Sequence, residues 1–325
     1  MSTQSIAAQS QRLRSIVDNV DLIVLTTADL DGDSVGALVG MWDLLRQAYP
    51  AMPVRVCVEA PLPERYQFLV PDSCAFEIVG SDESWVNACA LVVDSEPKRF
   101  KSLGAVFWSA KYSGIIDHHQ KVEPDSYGFA LYDANAPSTT TLIYGLYTEL
   151  GLVPSLSSAI ALYAGLVFDT SVFRYKLTSP FSLRMAAHLT ELGVDHTEVV
   201  ERLLLVQPVE RVRLRALILS KFTLHFAGRL CISTLDEIEA GNVDSGGLVD
   251  DLIFIEGVEV AALCQAVSNG RIRVSLRSRS DLNVAEIAQT LHPTGGGHRR
   301  AAGVTLTSTM ADAVTRLEDL IESRL

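Results

Sequence analysis

The chain has 325 residues, with 27 Lys and Arg against 39 Asp and Glu for a formal net charge of −12, and hydrophobic residues make up 48%. At about 100–200 residues per domain this length suits two domains, and the apolar content excludes a disordered chain. An acidic surface excludes a global field that would draw the protein onto duplex DNA or an anionic membrane, so an anionic substrate has to be gathered by a local group of residues.

The five cysteines (Cys57, Cys74, Cys89, Cys231 and Cys264) are odd in number and widely spaced. They point away from a disulfide framework or a zinc knuckle and fit a reducing cytoplasm. The N-terminal MSTQSIAAQSQRLRSIVDNV is polar and helix-like, without the apolar core of a secretory signal. The longest apolar runs are strand-length, well short of the ~20 residues that a membrane helix requires. Residues 21–27 (DLIVLTT) predict a buried strand, 34–48 a helix, 54–59 a strand, and 90–94 (ALVVD) and 114–117 (GIID) two more strands. Strands alternating with helices predict a mostly parallel sheet covered on both faces.

Helices follow over 139–150, 156–168 and from about 179 through 192, where Gly193 is the stop. Residues 195–219 then read as helical and charged, with strand signals at 222–226, 230–234, 258–267 and 271–277. Asn269-Gly270 between the last two is a hairpin signal. The expected fold is therefore α/β. A first domain over 1–190 carries the parallel sheet, a helical linker spans 191–215, and a smaller α/β domain with a mixed sheet spans 216–325.

Open parallel sheets place ligand sites at the carboxyl ends of their strands, and acids stand at those ends here. Asp31 and Asp33 follow the first strand, Asp94 ends VVD, Asp117-His118-His119 ends IID, and Asp169 follows an apolar helix in GLVFDT. Four aspartates and a histidine at one sheet edge repel one another unless divalent cations neutralise them, and mixed carboxylate and imidazole ligation suits manganese. A two-metal centre is the economical reading.

DGD, VVD, DHH and the distal Asp169 resemble the four motifs of the DHH phosphoesterase superfamily, and GGGHRRAAG over 295–303 resembles the GGGH-x-x-A-[AS]-G signature of its DHHA1 domain. Length, layout, Ser138-Thr139-Thr140 and GLVFDTSVFRY are similar to the compact, NrnA-like branch. Members of that branch are nanoRNases, phosphatases of 3′-phosphoadenosine 5′-phosphate, or linear and cyclic dinucleotide phosphodiesterases.

The resemblance implies that Asp33, Asp94, His118 and Asp169 hold one Mn2+ and that Asp31 and Asp94 belong to a second, with Asp94 bridging and a water activated to attack phosphorus. It places His119 either behind the metal ligands or near the leaving oxygen, as a proton donor or an orienting group. Compact members are commonly dimers, so a cytoplasmic homodimer is expected, with a short RNA or a small nucleotide as substrate. The alternative is a nucleotide-binding regulatory protein with a degenerate metal centre.

One departure motivates that alternative. The family pattern His-x-x-Pro-Asp-x-Asp puts Thr27 where an imidazole stands, leaving Asp29, water or substrate to complete the first site. In the second domain, Gly295, Gly296 and Gly297 let the backbone approach a phosphate, while His298 and Arg300 add charge-assisted bonds. Ser275 and Arg277 resemble the family's S-x-R-S strand, which implies that Arg277 forks onto a terminal phosphate. Arg271, Arg273, Arg277 and Arg279 share one strand face by their even spacing, and that face is read as partly solvated.

Overall fold

The computed structural model describes residues 3–119, 122–241, 243 and 245–324, and the chain divides into two compact units that meet in sequence at Val206 and Gln207. In the first unit six strands form one sheet: β1 (Leu22–Thr27), β2 (Val54–Val58), β3 (Phe76–Ile78), β4 (Ala88–Val93), β5 (Tyr112–Asp117) and β6 (Phe129–Tyr132). Their order is β3-β2-β1-β4-β5-β6, and every pairing is parallel.

Alternate residues of the central strands enter different cores, as the two-residue period of a strand requires. Ile23, Leu25, Leu91, Val93 and Ile116 pack with the larger helical side, whereas Val24, Ala90, Val92 and Ile115 pack against Leu103, Val106 and Phe107. The larger side is built from α1 (Thr3–Val17), α2 (Gly32–Ala48), α4 (Thr139–Leu150), α5 (Leu156–Asp169) and α6 (Pro180–Glu191); α3 (Gly104–Ser109) covers the other. Both sheet faces are thus buried, which is why β4 reads as an unbroken apolar run.

The helical segment expected over 195–219 is made of separate pieces. After α7 (His196–Val200) one wider turn closes from Val206 N to Glu201 O at 2.8 Å, and the chain extends through Pro208 before α8 (Val209–Lys221). Pro208 offers no N–H to a helical ladder and holds the preceding residue out of helical conformation, so α8 has to start afresh after it.

The second unit contains β7 (Thr223–His225), β8 (Leu230–Leu235), β9 (Val260–Val267), β10 (Arg271–Ser278), β11 (Gly296–His298) and β12 (Ala301–Thr307), in the order β11-β12-β10-β9-β8-β7. Only β8 and β9 run parallel, so the sheet is mixed. Asn269 and Gly270 have φ of 66° and 63°, the left-handed pair that a two-residue hairpin turn demands. On one face α11 (Val284–Leu291) and α12 (Met310–Glu322) bury Ile272, Val274 and Leu276. On the other, α8 and α10 (Asp250–Ile253) cover β8 and β9. No helix among the described residues is long and apolar enough to cross a membrane.

The packing of α2 on α5 sets the first unit's core. A Cβ on Gly36 would stand 2.4 Å from the Ala161 carbonyl oxygen. Gly36→Ala should therefore destabilise by about 1–3 kcal/mol through overpacking, although Gly→Ala in an open helix stabilises. Urea unfolding measures the sign.

Candidate metal centre

The order β3-β2-β1-β4-β5-β6 reverses direction between β1 and β4, and the crevice at such a switch point is where doubly wound sheets bind ligands. The turn from β1 into α2 delivers Asp31 as the helix N-cap and Asp33 in its first turn, the residue after β4 is Asp94, and β5 ends in Asp117 followed by His118 and His119. Asp169 is the last residue of α5.

Asp33 is fully buried and lies at the amino end of α4. Its Oδ2 accepts from Thr139 N at 2.6 Å, and its Oδ1 accepts from Thr140 N at 3.1 Å and Thr140 Oγ1 at 2.9 Å. These donors favour the anion, yet burial and the Asp169 carboxylate outweigh them and push the group up to about 7. Asp94, 5% exposed, accepts from Thr139 Oγ1 at 2.9 Å. Burial, then Asp33, Asp31, Asp169 and Asp117, raise it well above the carboxylate range. Asp31 caps α2 by accepting from Asp33 N and Ser34 N through one oxygen, and burial and Asp169 raise it as well. Gly165 makes room: a Cβ there would stand 2.5 Å from Asp33 Oδ1.

The two histidines are held in defined tautomers. His118 Nδ1 donates to the Ala136 carbonyl at 3.0 Å, which turns Nε2 towards Asp169 Oδ2 at 2.8 Å, Asp94 Oδ1 at 3.7 Å and Asp33 Oδ2 at 4.0 Å. Burial lowers its pKa, but the carboxylates led by Asp169 prevail and lift it to about 10. His119 Nδ1 lies 2.7 Å from Asp117 Oδ1, which also accepts from His119 N at 2.8 Å. Those contacts hold Asp117 below its usual range against the opposing effect of burial.

Ligand atoms of Asp33, His118 and Asp169 lie within 4.8 Å of one another, and so do those of Asp94, His118 and His119. Crowded carboxylates and imidazoles with oriented nitrogens fit a divalent cation of the manganese kind. The grouping differs from expectation in two respects. Asp94 groups with His119, and Asp31 belongs to neither set, one of its oxygens being used as a helix cap. Thr27 Oγ1 donates to the Asp29 carbonyl at 3.1 Å, and the Asp29 carboxylate meets Arg99 Nη2 at 2.7 Å. Asp29 is thus turned to Arg99 and stands in neither group of candidate ligands among the described residues.

Sequence reasoning left Asp117, Thr139, Thr140 and Gly165 without roles. Ser-Thr-Thr-Thr at a helix start was the available signal, since that composition caps helices and presents amides to an anion.

In the second unit Arg277, Ala301 and His298 are directly paired across three strands, as are Ser275, Gly303 and Gly296 in the neighbouring row. Paired residues share a sheet face, so Ser275, Arg277 and His298 stand together on the face opposite the Ile272, Val274 and Leu276 core. The four arginines differ along that face. Arg271 and Arg273 are exposed, Arg277 Nε pairs with Asp250 Oδ1 at 2.5 Å, and Arg279 lies over the Phe254 ring. Arg300 Nη1 donates to the Arg279 carbonyl at 3.4 Å.

The glycines also differ. A Cβ on Gly295 would stand 2.1 Å from the Ala288 carbonyl oxygen, and Gly297 has φ of +132°, whereas Gly296 faces open space. Packing accounts for the first and backbone conformation for the second, while nothing crowds a side chain at Gly296.

Comparison with known proteins agrees with this architecture. The family models "DHH family, N-terminal domain" and "DHHA1 domain" match residues 22–168 and 227–325. A bifunctional oligoribonuclease and PAP phosphatase NrnA of Thermus thermophilus is 30% identical over 291 residues, covering 88% of this chain and 84% of the relative. The crystal structure of an exopolyphosphatase-related protein from Bacteroides fragilis superposes with a TM-score of 0.87 at 21% identity, covering 97% of this chain and 96% of that one. RecJ of Thermus thermophilus in complex with Mn2+ gives 0.56 at 16% identity, covering all of this chain and 55% of RecJ. With both signature domains in order and a relative matched along most of its length, the chain belongs to the DHH phosphoesterase family, in the branch that carries a DHHA1 domain.

Proposed function

We propose that the protein is a manganese-dependent hydrolase of short oligoribonucleotides and small nucleotides such as 3′-phosphoadenosine 5′-phosphate. The observation that carries this reading is the convergence of buried Asp33, Asp94 and His118 with Asp169 and His119 at the sheet's switch point. The Thermus thermophilus relative, named an oligoribonuclease and PAP phosphatase, supports the substrate class, and the RecJ complex supports the metal.

In this reading Asp33, His118 and Asp169 would hold one ion, while Asp94, with His119 and Asp31 nearby, would hold a second. Ions bound there would supply positive charge to the phosphoryl oxygens and acidify the attacking water. Thr139 and Thr140 keep Asp33 and Asp94 aimed, and Ala136 keeps the His118 Nε2 lone pair directed inward. As water attacks, losing a proton to solvent, and the P–O bond to the leaving group breaks, His119 in its protonated form, held at Nδ1 by Asp117, would give the departing oxygen a proton from Nε2. Ser275, Arg277, His298, Arg300 and the Gly295, Gly296 and Gly297 backbone take a terminal phosphate. A short substrate suits an acidic chain with no long basic track for extended strands. Thr27 in the place of an imidazole favours one other reading, a nucleotide-binding regulator with a depleted first metal site.

An assay with Mn2+ on a 5′-labelled RNA dinucleotide, a five-mer, 3′-phosphoadenosine 5′-phosphate and cyclic dinucleotides in parallel separates the readings, because a regulator cuts none of them. Asp94→Ala and His118→Ala should each abolish turnover, and Asp94→Ala at near-parental rate would remove the second ion from the account.

Arg277→Ala should erase the preference for a 5′-phosphorylated dinucleotide over its dephosphorylated form, a charge-assisted bond being worth about 1.5–3 kcal/mol, or more than tenfold. A parent enzyme that cuts the two forms equally would leave the anchor without support.

Metal also has to relieve the carboxylates. Saturating Mn2+ at ~100 times its dissociation constant should stabilise the parent by about 2.7 kcal/mol per site. Asp94→Asn, which keeps an acceptor for Thr139 but removes a charge, should melt higher than the parent without metal and gain less from Mn2+. Thermal melts with and without the ion measure both.

A further inference from the structure

The loop after β1 places acids at alternate positions, Asp29, Asp31 and Asp33. Asp31 and Asp33 turn into the crevice, but Asp29 turns out of it and pairs with Arg99, at 51% and 49% side-chain exposure respectively. Arg99 lies five residues beyond Asp94, in the single turn Pro97–Arg99 that follows β4. The pair thus ties the segment that leads into Asp31 and Asp33 to the one that leads away from Asp94. Pro97-Lys98-Arg99-Phe100-Lys101 brings three cations into five residues of a chain whose net charge is −12.

The ion pair is not what anchors this loop. Glu59, just beyond the end of β2, accepts from Lys101 N at 2.9 Å, Ser102 N at 2.5 Å, Ser102 Oγ at 2.9 Å and Leu103 N at 2.7 Å. Phe100 packs on the smaller core beside Phe107, their ring centroids 6.1 Å apart. An exposed ion pair adds little to a loop so held. A guanidinium kept half in water by one carboxylate is readily exchanged onto a phosphate, whose oxygens match its fork.

We propose that Arg99 is a substrate-binding residue of the first unit, taking the non-bridging oxygens of a nucleotide phosphate at the lip of the crevice, and that Asp29 is the resting counter-ion which the phosphate displaces. The proposal rests on the phosphoesterase reading and adds to it a cation that the metal ligands and the second unit do not supply. The exchange breaks no covalent bond: one carboxylate partner of the guanidinium is replaced by a phosphate. Asp29 competes for Arg99, so removing the two charges has opposite consequences.

The test uses the Mn2+-loaded full chain and its R99A, R99K and D29N variants, with 3′-phosphoadenosine 5′-phosphate as substrate in kinetics and as ligand in calorimetry. R99A should lose ~10- to 100-fold in kcat/KM, the range of a charge-assisted bond to phosphate. R99K should recover part of that loss, since it keeps the charge without the fork. D29N should lower KM. Manganese affinity and melting temperature should stay at parental values in all three, which separates loss of a substrate contact from damage to the site.

R99A with kcat/KM within twofold of the parent overturns the proposal. So does D29N raising KM alongside R99A, since a structural strap predicts equal damage from either side. A parent that binds the nucleotide without hydrolysing it, with R99A weakening that binding about tenfold, sustains Arg99 and overturns the phosphoesterase reading. A parent that neither binds nor hydrolyses it overturns both.

Discussion

Mutual repulsion among buried carboxylates is the constraint around which the first unit is arranged. Two like charges ~4 Å apart at an effective dielectric of about 20 repel by roughly 4 kcal/mol, comparable with the lower end of a whole domain's stability. Asp33 has no exposure and Asp94 has 5%, and Asp31 and Asp169 stand close enough to raise both. The surroundings respond in two ways. Amides and hydroxyls at the start of α4 hold the Asp33 and Asp94 oxygens in place, and two imidazoles bring partial compensation through Asp169 and Asp117. Neither is enough to restore ordinary carboxylate behaviour, so protons or cations have to supply the remainder.

That arrangement needs helices at unusually close quarters. Glycine at 32, 36, 40 and 165 lets α2 and α5 bring their ends to the same crevice: Gly36 accommodates the Ala161 carbonyl, and Gly165 leaves space for the very oxygen of Asp33 that Thr140 binds. Core packing and site geometry are therefore one problem. A methyl group added at 165 would enter the carboxylate cluster rather than an indifferent part of the interior.

Much of this was legible because each acid ends an apolar segment, and apolar segments are what sequence periodicity reports best. The strands at 22–27, 88–93 and 112–117 and the helices behind them follow from that pattern. The three-residue β3 and the four-residue β6 lie at the sheet's edges and are too short to display a period. The glycine-rich segment, read as an anion loop, also forms an edge strand, because Gly296 to His298 pair with Ala301 to Gly303. What sequence could not supply was direction. Asp29, Asp31 and Asp33 are indistinguishable by spacing, and only the capping bonds of Asp31 and the attachment of Asp29 to Arg99 separate them. Asp117 likewise is set apart only by its bond to His119, two residues along the chain.

Backbone strain marks the same places. Asp94 has φ of 53°, and one residue beyond Asp169, after Thr170, three consecutive non-glycine residues, Ser171, Val172 and Phe173, have φ of 49°, 57° and 63°. Left-handed conformation costs roughly 1–2 kcal/mol per residue, and a β-branched valine resists it strongly. Each strained segment is held by specific bonds: Asp94 N donates to the Ile116 carbonyl, and Thr170 Oγ1 donates to the Leu166 carbonyl while accepting from Phe173 N. Regular backbone would carry the chain onward from β4 and α5 along their own axes, whereas the left-handed turns end both elements abruptly at the acid. Two strands and a helix can then present carboxylates to one small volume without a long loop to position any of them. Because sheet and helix packing bear that strain, a cation entering the crevice meets donors already in place and does not have to order them.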